Sequence, residues 1–542
     1  MNEPVVPHRR EFPIITVMAL IALSAWGGQY WWEHRVVVPE MPSIVMLPTK
    51  VSGVAGMEFL ADAIPATLSD EMEAVQGIET WAPPTSTEFT LIENNRRRLV
   101  LAYGANVMVT SAVNVDGDNL KIDIVALEAK TEQPLWGDSY QGARGEYVSI
   151  MQRMRNDLSK ALKHPTDAPG VTGKSDVELA FRQGEFYLDR YDSRHENSDF
   201  DAASAALKKA LELDPKFANA AADMARLYGM RIAGTAGTSG VDPSLLAELD
   251  SWVQRALQID PKCGRAYYMM SISDTWREAP DPSKKLANAL RASAFASDYA
   301  PAHFDLGQTL TSSTNLALAA TRYSRNLDPL YLYAPLAETG FLHQLGRTSE
   351  AFAILDRQVM SIQPNMEYGR VLEASLMIEL GWLQKVEPLI RNIQKDVGEQ
   401  RLRSLSQSTI RERLAIANNE KGSIGVELSR ILAIANNPKA TPAEIRIALE
   451  SVPTLAFNHY EEDAFLILEK ASALDLILPY DWLRTDHRLD RMRKDRRWFT
   501  IADKARIQFE AMLNVIKEAK SRGELPAYLD QPLSDVQSQL SL

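Results

Sequence analysis

Three hydrophobic patterns divide the chain. The first is a run of 21 uncharged residues from Phe12 to Trp32. At about 1.5 Å of rise per residue, a helix of that length covers a hydrocarbon core of roughly 30 Å. Trp26, Tyr30, Trp31 and Trp32 crowd its far end, where amphipathic rings suit a headgroup interface, and Arg9 and Arg10 precede it. The run predicts a short cytoplasmic tail over 1–11 and a transmembrane helix over 12–33. It places the protein in a bacterial inner membrane, single-pass, with a cytoplasmic N-terminus and its bulk in the periplasm. A cleaved signal peptide is the rival reading, but the apolar stretch is long and no Ala-x-Ala site closes it.

The second pattern, over 42–163, alternates strand-like and helical spacing. Ser43-Ile-Val-Met-Leu-Pro48 is a short apolar run closed by proline, the sign of a buried strand. Phe59, Leu60, Ile64, Leu68 and Met72 recur at helical spacing. The β-rich runs 105–115 and 120–127 flank Asp116-Gly-Asp-Asn119, which reads as a hairpin turn. Tyr147, Ile150, Met151, Met154, Leu158 and Leu162 return to helical periodicity. A linker over 164–175 follows. From 176 the apolar positions mark pairs of helices, predicted as repeats to 475 and as capping helices over 476–542.

The matching stretches Ser43-Ile-Val-Met-Leu-Pro48, Glu58-Phe-Leu-Ala-Asp-Ala-Ile64, Val107-Met-Val-Thr-Ser-Ala-Val113 and Leu120-Lys-Ile-Asp123, with the run from Leu127 to Trp136, carry a family resemblance. Over 42–163 the chain resembles the TolB-like N-terminal domain of membrane-anchored bacterial regulators and adenylate-cyclase-associated proteins. That domain commonly precedes tetratricopeptide repeats. The family usually has Gly where this chain has Ala63 and Ser111. Its motif is structural, so the resemblance implies a small α/β fold and carries over no catalytic residue.

Asp214-Pro215, Asp260-Pro261, Pro301, Asp328-Pro329 and Gln363-Pro364 recur further along, the prolines at intervals of 46, 40, 28 and 35 residues. The 34-residue tetratricopeptide signature ends each helix pair with proline, so the repeats are degenerate and carry insertions, at 192–198 and 234–242. Ala203-Ser-Ala-Ala-Leu-Lys-Lys-Ala-Leu-Glu-Leu-Asp-Pro215 is the clearest second helix. Gly340 stands 24 positions before Pro364, the family spacing between helix-A glycine and terminal proline. The stretch 176–363 thus resembles tetratricopeptide repeats, and the predicted fold is an all-α superhelical solenoid, because such pairs bury their apolar faces only by stacking.

Charge narrows the partners. Lys+Arg number 59 and Asp+Glu 71, a net of −12, so no nucleic acid is expected as a partner. The single cysteine, Cys263, allows neither an internal disulfide nor a thiolate zinc site, and it reads as a packed small residue. Ala168-Pro-Gly-Val-Thr-Gly-Lys174-Ser175 is loosely like a phosphate loop. A helix rather than a strand precedes it, so it reads as a linker with Ser175 capping the first repeat helix. Asp116-Gly-Asp-Asn119 is too short for a calcium loop, and Gly234-Thr-Ala-Gly-Thr-Ser-Gly240 reads as an inter-helix loop open to local recognition. His459 precedes Glu461, Glu462 and Asp463 at an acidic helix start. Arg96, Arg97 and Arg98 form one basic run, and Arg491, Arg493, Lys494, Arg496 and Arg497 the other; both read as solvated faces.

No catalytic, cofactor or metal site is predicted, and the partner-binding residues are unassigned. The sequence leads to a non-enzymatic, membrane-anchored scaffold that takes a protein or peptide in its repeat groove and meets the membrane through 12–33. The alternative, implied by the resemblance, is a sensor or signalling component related to transmembrane regulators or cyclases. Residues 1–11 are too short to fold as the output domain that precedes the span in those relatives.

Overall fold

The computed structural model describes residues 38–540 apart from 93–94, 167–172, 278–279, 399–409 and 419–423. The expected span 12–33 and its tail lie outside the described residues. Among the described residues no helix is long and apolar enough to cross a membrane. The long ones are amphipathic: Arg496–Ser521, of 26 residues, buries Trp498, Ile501, Phe509 and Ile516 along one stripe and carries charge on the others. The expected fold is corrected accordingly. What stands is a largely helical protein with one mixed sheet; the single transmembrane helix, and the inner-membrane and periplasmic placement built on it, are withdrawn.

Six strands form the sheet: β1 (Ser43–Met46), β2 (Lys50–Gly53), β3 (Glu79–Thr80), β4 (Val107–Asp116), β5 (Asn119–Glu128) and β6 (Pro134–Ala143), in the order β3-β1-β4-β5-β6. β1 and β2 both run parallel to β4, with Ile44 opposite Val107 and Lys50 opposite Ala112. They follow one another along the same side of β4, interrupted at Pro48, which has no N–H to offer the ladder, and β3 pairs with β1 beyond it. β4 and β5 are the expected hairpin: Asp116 faces Asn119, and Gly117 takes the positive φ of 59° that the tight turn needs.

Alternate residues of these strands point to opposite faces, and each face is covered. Helices Leu60–Glu73 and Tyr147–Ala161 lay Ile64, Leu68, Met72, Ile150, Met154 and Leu158 on one side. Each such side chain contributes about 1.5–3 kcal/mol of burial. The buried Tyr147 hydroxyl donates to the Ala63 carbonyl at 2.9 Å, which ties the two helices together. On the other side lie Leu99 and Tyr103, and there Leu330 and Ile362 arrive from the helical region to complete the cluster.

The helical region begins with successive antiparallel pairs: Ser175–Arg194 with Asn197–Leu213, Ala218–Ser239 with Pro243–Ile259, Gly264–Asp274 with Pro282–Phe295, and Ala300–Thr309 with Thr314–Leu327. The recurring aspartates end the second helices in one way. Asp214, Asp260 and Asp328 turn their carboxylates onto the backbone N–H two residues on, at 3.0, 2.9 and 2.9 Å. Gly184 and Gly307 allow the two helices of a pair to touch, since an added Cβ would meet Leu207 or Thr321 at 2.6 or 2.3 Å. Gly340, picked out by spacing, has open space instead. The expected loop 234–242 is largely helix, because Ala218–Ser239 runs through Gly234 and leaves only a short turn before Asp242.

Two packings bend this array. Leu179, Phe186 and Tyr187 of its first helix pack on the sheet domain, as do Leu330 and Ile362 much further along, so the pairs between them curve around that domain. The C-terminal segment does not simply cap the last pair. It returns to the middle of the array, where Trp482, Phe509 and Leu529 share a core with Leu286, Leu290, Leu306 and Leu316.

Candidate binding groove

Along successive first helices and the turns that lead into them runs a row of rings. Tyr268 meets Tyr299 edge-on at 5.5 Å. Phe304 meets Tyr331 at 5.5 Å, and Tyr331 meets Tyr333 at 5.5 Å. Tyr268, Tyr299 and Tyr331 are half-buried and Tyr333 is 63% exposed. Burial pushes the Tyr268, Tyr299 and Tyr331 hydroxyls up, so they stay protonated and able to donate.

A charge relay runs from the sheet domain into this row. Arg182 reaches Asp70 of the sheet domain and holds Glu178 and Glu185 at 2.8 Å each. Arg265 holds Glu185 at 2.9 Å and Asp223 at 2.7 Å, with its guanidinium 5.2 Å from the centre of the Tyr299 ring. Burial alone would raise Glu185; the two arginines outweigh it and keep the carboxyl below its ordinary range. Arg226 sits among Tyr299, Asp223, Tyr268 and Asp192, half-buried, and makes no ion pair among the described residues.

Where the sheet domain faces the arc, carboxylates gather. Glu88 feels Asp328 and Asp189, and burial raises it well above its usual value. Burial lifts Asp328 to about 6 and Asp62, which also accepts from the Ser86 N–H at 2.7 Å, to about 7. Burial raises Asp189 as well, and one of its oxygens has no partner. Tyr103, buried beside them, has an unpartnered hydroxyl.

The motifs singled out in the sequence fall elsewhere. Part of the phosphate-like loop, 167–172, lies outside the described residues. Its end lines a cleft of about 520 Å³ with Gly145 and Gln152, and the element before it is a helix, not the strand a phosphate loop needs. Ser175 does not cap its own helix; its hydroxyl accepts from the Val148 N–H at 3.2 Å. Cys263 is buried, 3.8 Å from the Asn219 side-chain oxygen, and burial raises its thiol. Arg96 pairs with Glu132 at 3.5 Å. In the second basic run Arg491 meets Glu461 at 3.1 Å, Arg493 meets Asp490, and Arg497 meets Glu462 at 2.7 Å. Beside them His459, His487 and Arg488 line a cleft of about 650 Å³, where Arg488 is spent on Asp486 and Glu379 at 2.7 and 3.0 Å. Among the described residues no group of histidine, cysteine and carboxylate side chains is arranged to hold a metal ion.

Sequence reasoning missed both the ring row and the facing carboxylates. One trace of the row was legible: Tyr268, Tyr299 and Tyr331 stand 31 and 32 residues apart, close to one repeat. The carboxylates left none, because they come from distant parts of the chain.

No family model matches the chain, and no curated protein does. Among solved structures, the human IFIT1 dimer with PPP-AAAA is similar at 14% identity, over 66% of this chain and 80% of that one, with a TM-score of 0.33. A likeness that loose bears on neither ligand nor mechanism. The helical-repeat character rests on the stacked pairs themselves, and the TolB-like and tetratricopeptide resemblances remain resemblances.

Proposed function

We propose that this protein is a non-enzymatic interaction scaffold that holds a segment of a partner protein in the arc between its ring row and its sheet domain. The observation that carries the reading is the row itself. Five aromatic rings, Tyr268, Tyr299, Phe304, Tyr331 and Tyr333, line up along consecutive helix pairs, and they join side chains that bind at low entropic cost to hydroxyls able to pair with a peptide backbone. The sheet domain gives the arc a second wall. The acidic balance supports a protein partner over a phosphate backbone, which would meet repulsion here. The reading assigns the arc binding and no cofactor.

A photo-reactive amino acid placed at Tyr333 tests this. Irradiation in cells of the source should give one discrete crosslinked species, lost when Tyr299 and Tyr331 are both alanine. The same probe at Ile507, which is exposed on a distant helix, should not give it. Equal crosslinking at both positions, or indifference to the double substitution, would remove the groove from consideration.

A further inference from the structure

We propose, resting on the groove reading above, that the segment held along the ring row is rich in proline and is bound as an extended polyproline II helix. The row has two groups. Tyr268 and Tyr299 meet at 5.5 Å. Phe304, Tyr331 and Tyr333 are mutual neighbours, with Phe304 5.5 Å from Tyr331 and 6.1 Å from Tyr333, and the two tyrosines 5.5 Å apart. The helix Ala300–Thr309 joins the groups, since Tyr299 is its N-cap and Phe304 lies within it. All five residues keep surface open, and Tyr333 is 63% exposed.

The four hydroxyls of the row are free. Tyr268, Tyr299, Tyr331 and Tyr333 make no hydrogen bond among the described residues, and their oxygens reach solvent. Tyrosine hydroxyls elsewhere are used within the chain: Tyr140 donates to Asp157 at 2.8 Å, Tyr147 to the Ala63 carbonyl at 2.9 Å and Tyr267 to the Pro261 carbonyl at 3.2 Å. Charge at the edge of the row is already closed. Arg265, 5.2 Å from the centre of the Tyr299 ring, is held by Glu185 at 2.9 Å and Asp223 at 2.7 Å. The row itself carries no ionised side chain, so an uncharged ligand matches it.

Ring faces and open donors are what the row offers, and a proline-rich segment needs both. A polyproline II helix has no internal hydrogen bonds, so its carbonyls are open to the tyrosine hydroxyls. Proline has no N–H, so the ligand asks for no acceptor in return. A helical partner has already used its carbonyls, and a strand needs a backbone edge with both donors and acceptors. Pyrrolidine rings pack against aromatic side chains, and the segment arrives already extended, so little entropy is lost on binding.

Three short acetylated peptides of equal length test the idea on the whole protein: proline throughout, glycine alternating with serine, and alanine alternating with lysine. Each is fluorescein-labelled and followed by anisotropy near neutral pH. The proline peptide should bind, with little change between about 0.05 and 0.5 M salt, because no charge is matched. The glycine–serine peptide should not bind. Tyr299→Phe with Tyr331→Phe keeps the rings, removes two donors and should weaken proline-peptide binding about tenfold. Tyr299→Ala with Tyr331→Ala should abolish it. Tyr267→Phe, whose hydroxyl serves the Pro261 carbonyl, should leave it unchanged. Thermal melting establishes that the variants are folded. Equal binding of the glycine–serine peptide, tighter binding of the lysine peptide, or a proline affinity indifferent to both tyrosine pairs overturns the proposal. Loss in the alanine pair without loss in the phenylalanine pair overturns the donor role of the hydroxyls. If the proline peptide does not bind while the probe at Tyr333 still captures one cellular partner in a manner that needs Tyr299 and Tyr331, the proline ligand falls and the groove stands. If that capture is absent as well, both fall.

Discussion

Two parts of the chain close onto the helical array, and they do so with opposite chemistry. At the sheet domain, burial raises Glu88 and Asp328, Glu88 feels Asp328 and Asp189, and neither Glu88 nor Asp328 forms an ion pair among the described residues. At the C-terminal return, polar groups are matched. Asp481 accepts from the Thr314 and Asn315 N–H groups at 2.9 and 2.8 Å and from the Ser313 hydroxyl at 2.9 Å, so it caps a helix more than a hundred residues earlier in the chain. The Tyr528 ring stacks on Tyr323 at 4.1 Å, and its hydroxyl lies 2.8 Å from Nδ1 of His303. The His303 Nε2–H donates to the Ser297 carbonyl at 3.0 Å, which leaves Nδ1 as the acceptor for Tyr528. One junction is built to stay shut. The other buries carboxylates beside one another, a pattern that costs stability unless they hold their protons.

The largest effect expected from breaking this contrast is at Asp481. Asp481→Ala strands several buried donors at once and should cost about 3 kcal/mol, read from the urea midpoint. A loss under about 1 kcal/mol would show that the return is held by its apolar core alone.

Next is pH, where the two junctions have opposite signs. Asp62 is raised from 3.8 to about 7 and Asp328 from 3.8 to about 6, both chiefly by burial. The native state therefore holds their protons more tightly than the unfolded chain does. The stability they add is present below pH 3.8 and is lost as pH rises through 6 and 7. His303 is lowered by burial from 6.5 to about 4, so its contribution is present above pH 6.5 and is lost as pH falls toward 4. Amide exchange corrected for intrinsic rates should show protection around residues 85–103 falling as pH rises from about 4 to 7, and protection around 300–310 falling in the reverse direction. The same trend in both regions would dissolve the comparison.

Smaller effects sharpen it. Asp328→Asn keeps the turn acceptor and removes one of the repelling charges, so it should be neutral or stabilising by about 1 kcal/mol near pH 8, in the same urea assay. Tyr528→Phe keeps the stacked ring and loses the hydroxyl bond to His303, and should cost about 1 kcal/mol. A destabilised Asp328→Asn protein would mean that the carboxylate serves the turn more than it opposes its neighbours.

Local signals in the sequence were sound where neighbours along the chain decide the structure. The hairpin at Asp116–Asn119, the helical spacing of Ile64, Leu68 and Met72, and the aspartates that close the second helices are all readable, because turn chemistry and side-chain period act over a few residues. Ser175 and Gly340 show where that logic stops. Each has the right residue at the right spacing, yet Ser175 serves Val148 of another helix and Gly340 meets nothing.

What the sequence by itself determined is a strand-and-helix stretch followed by a long series of helix pairs, with an acidic net charge and a lone cysteine. The tertiary structure alone decided that the array bends around the sheet domain, that the C-terminal helices return to its middle, and that Glu88, Asp189 and Asp328 share one junction. The physical reason is range. Periodicity and caps are written in adjacent residues, whereas the meeting of Glu88 with Asp328, or of Asp481 with Thr314, depends on how much apolar surface each distant element has left to bury.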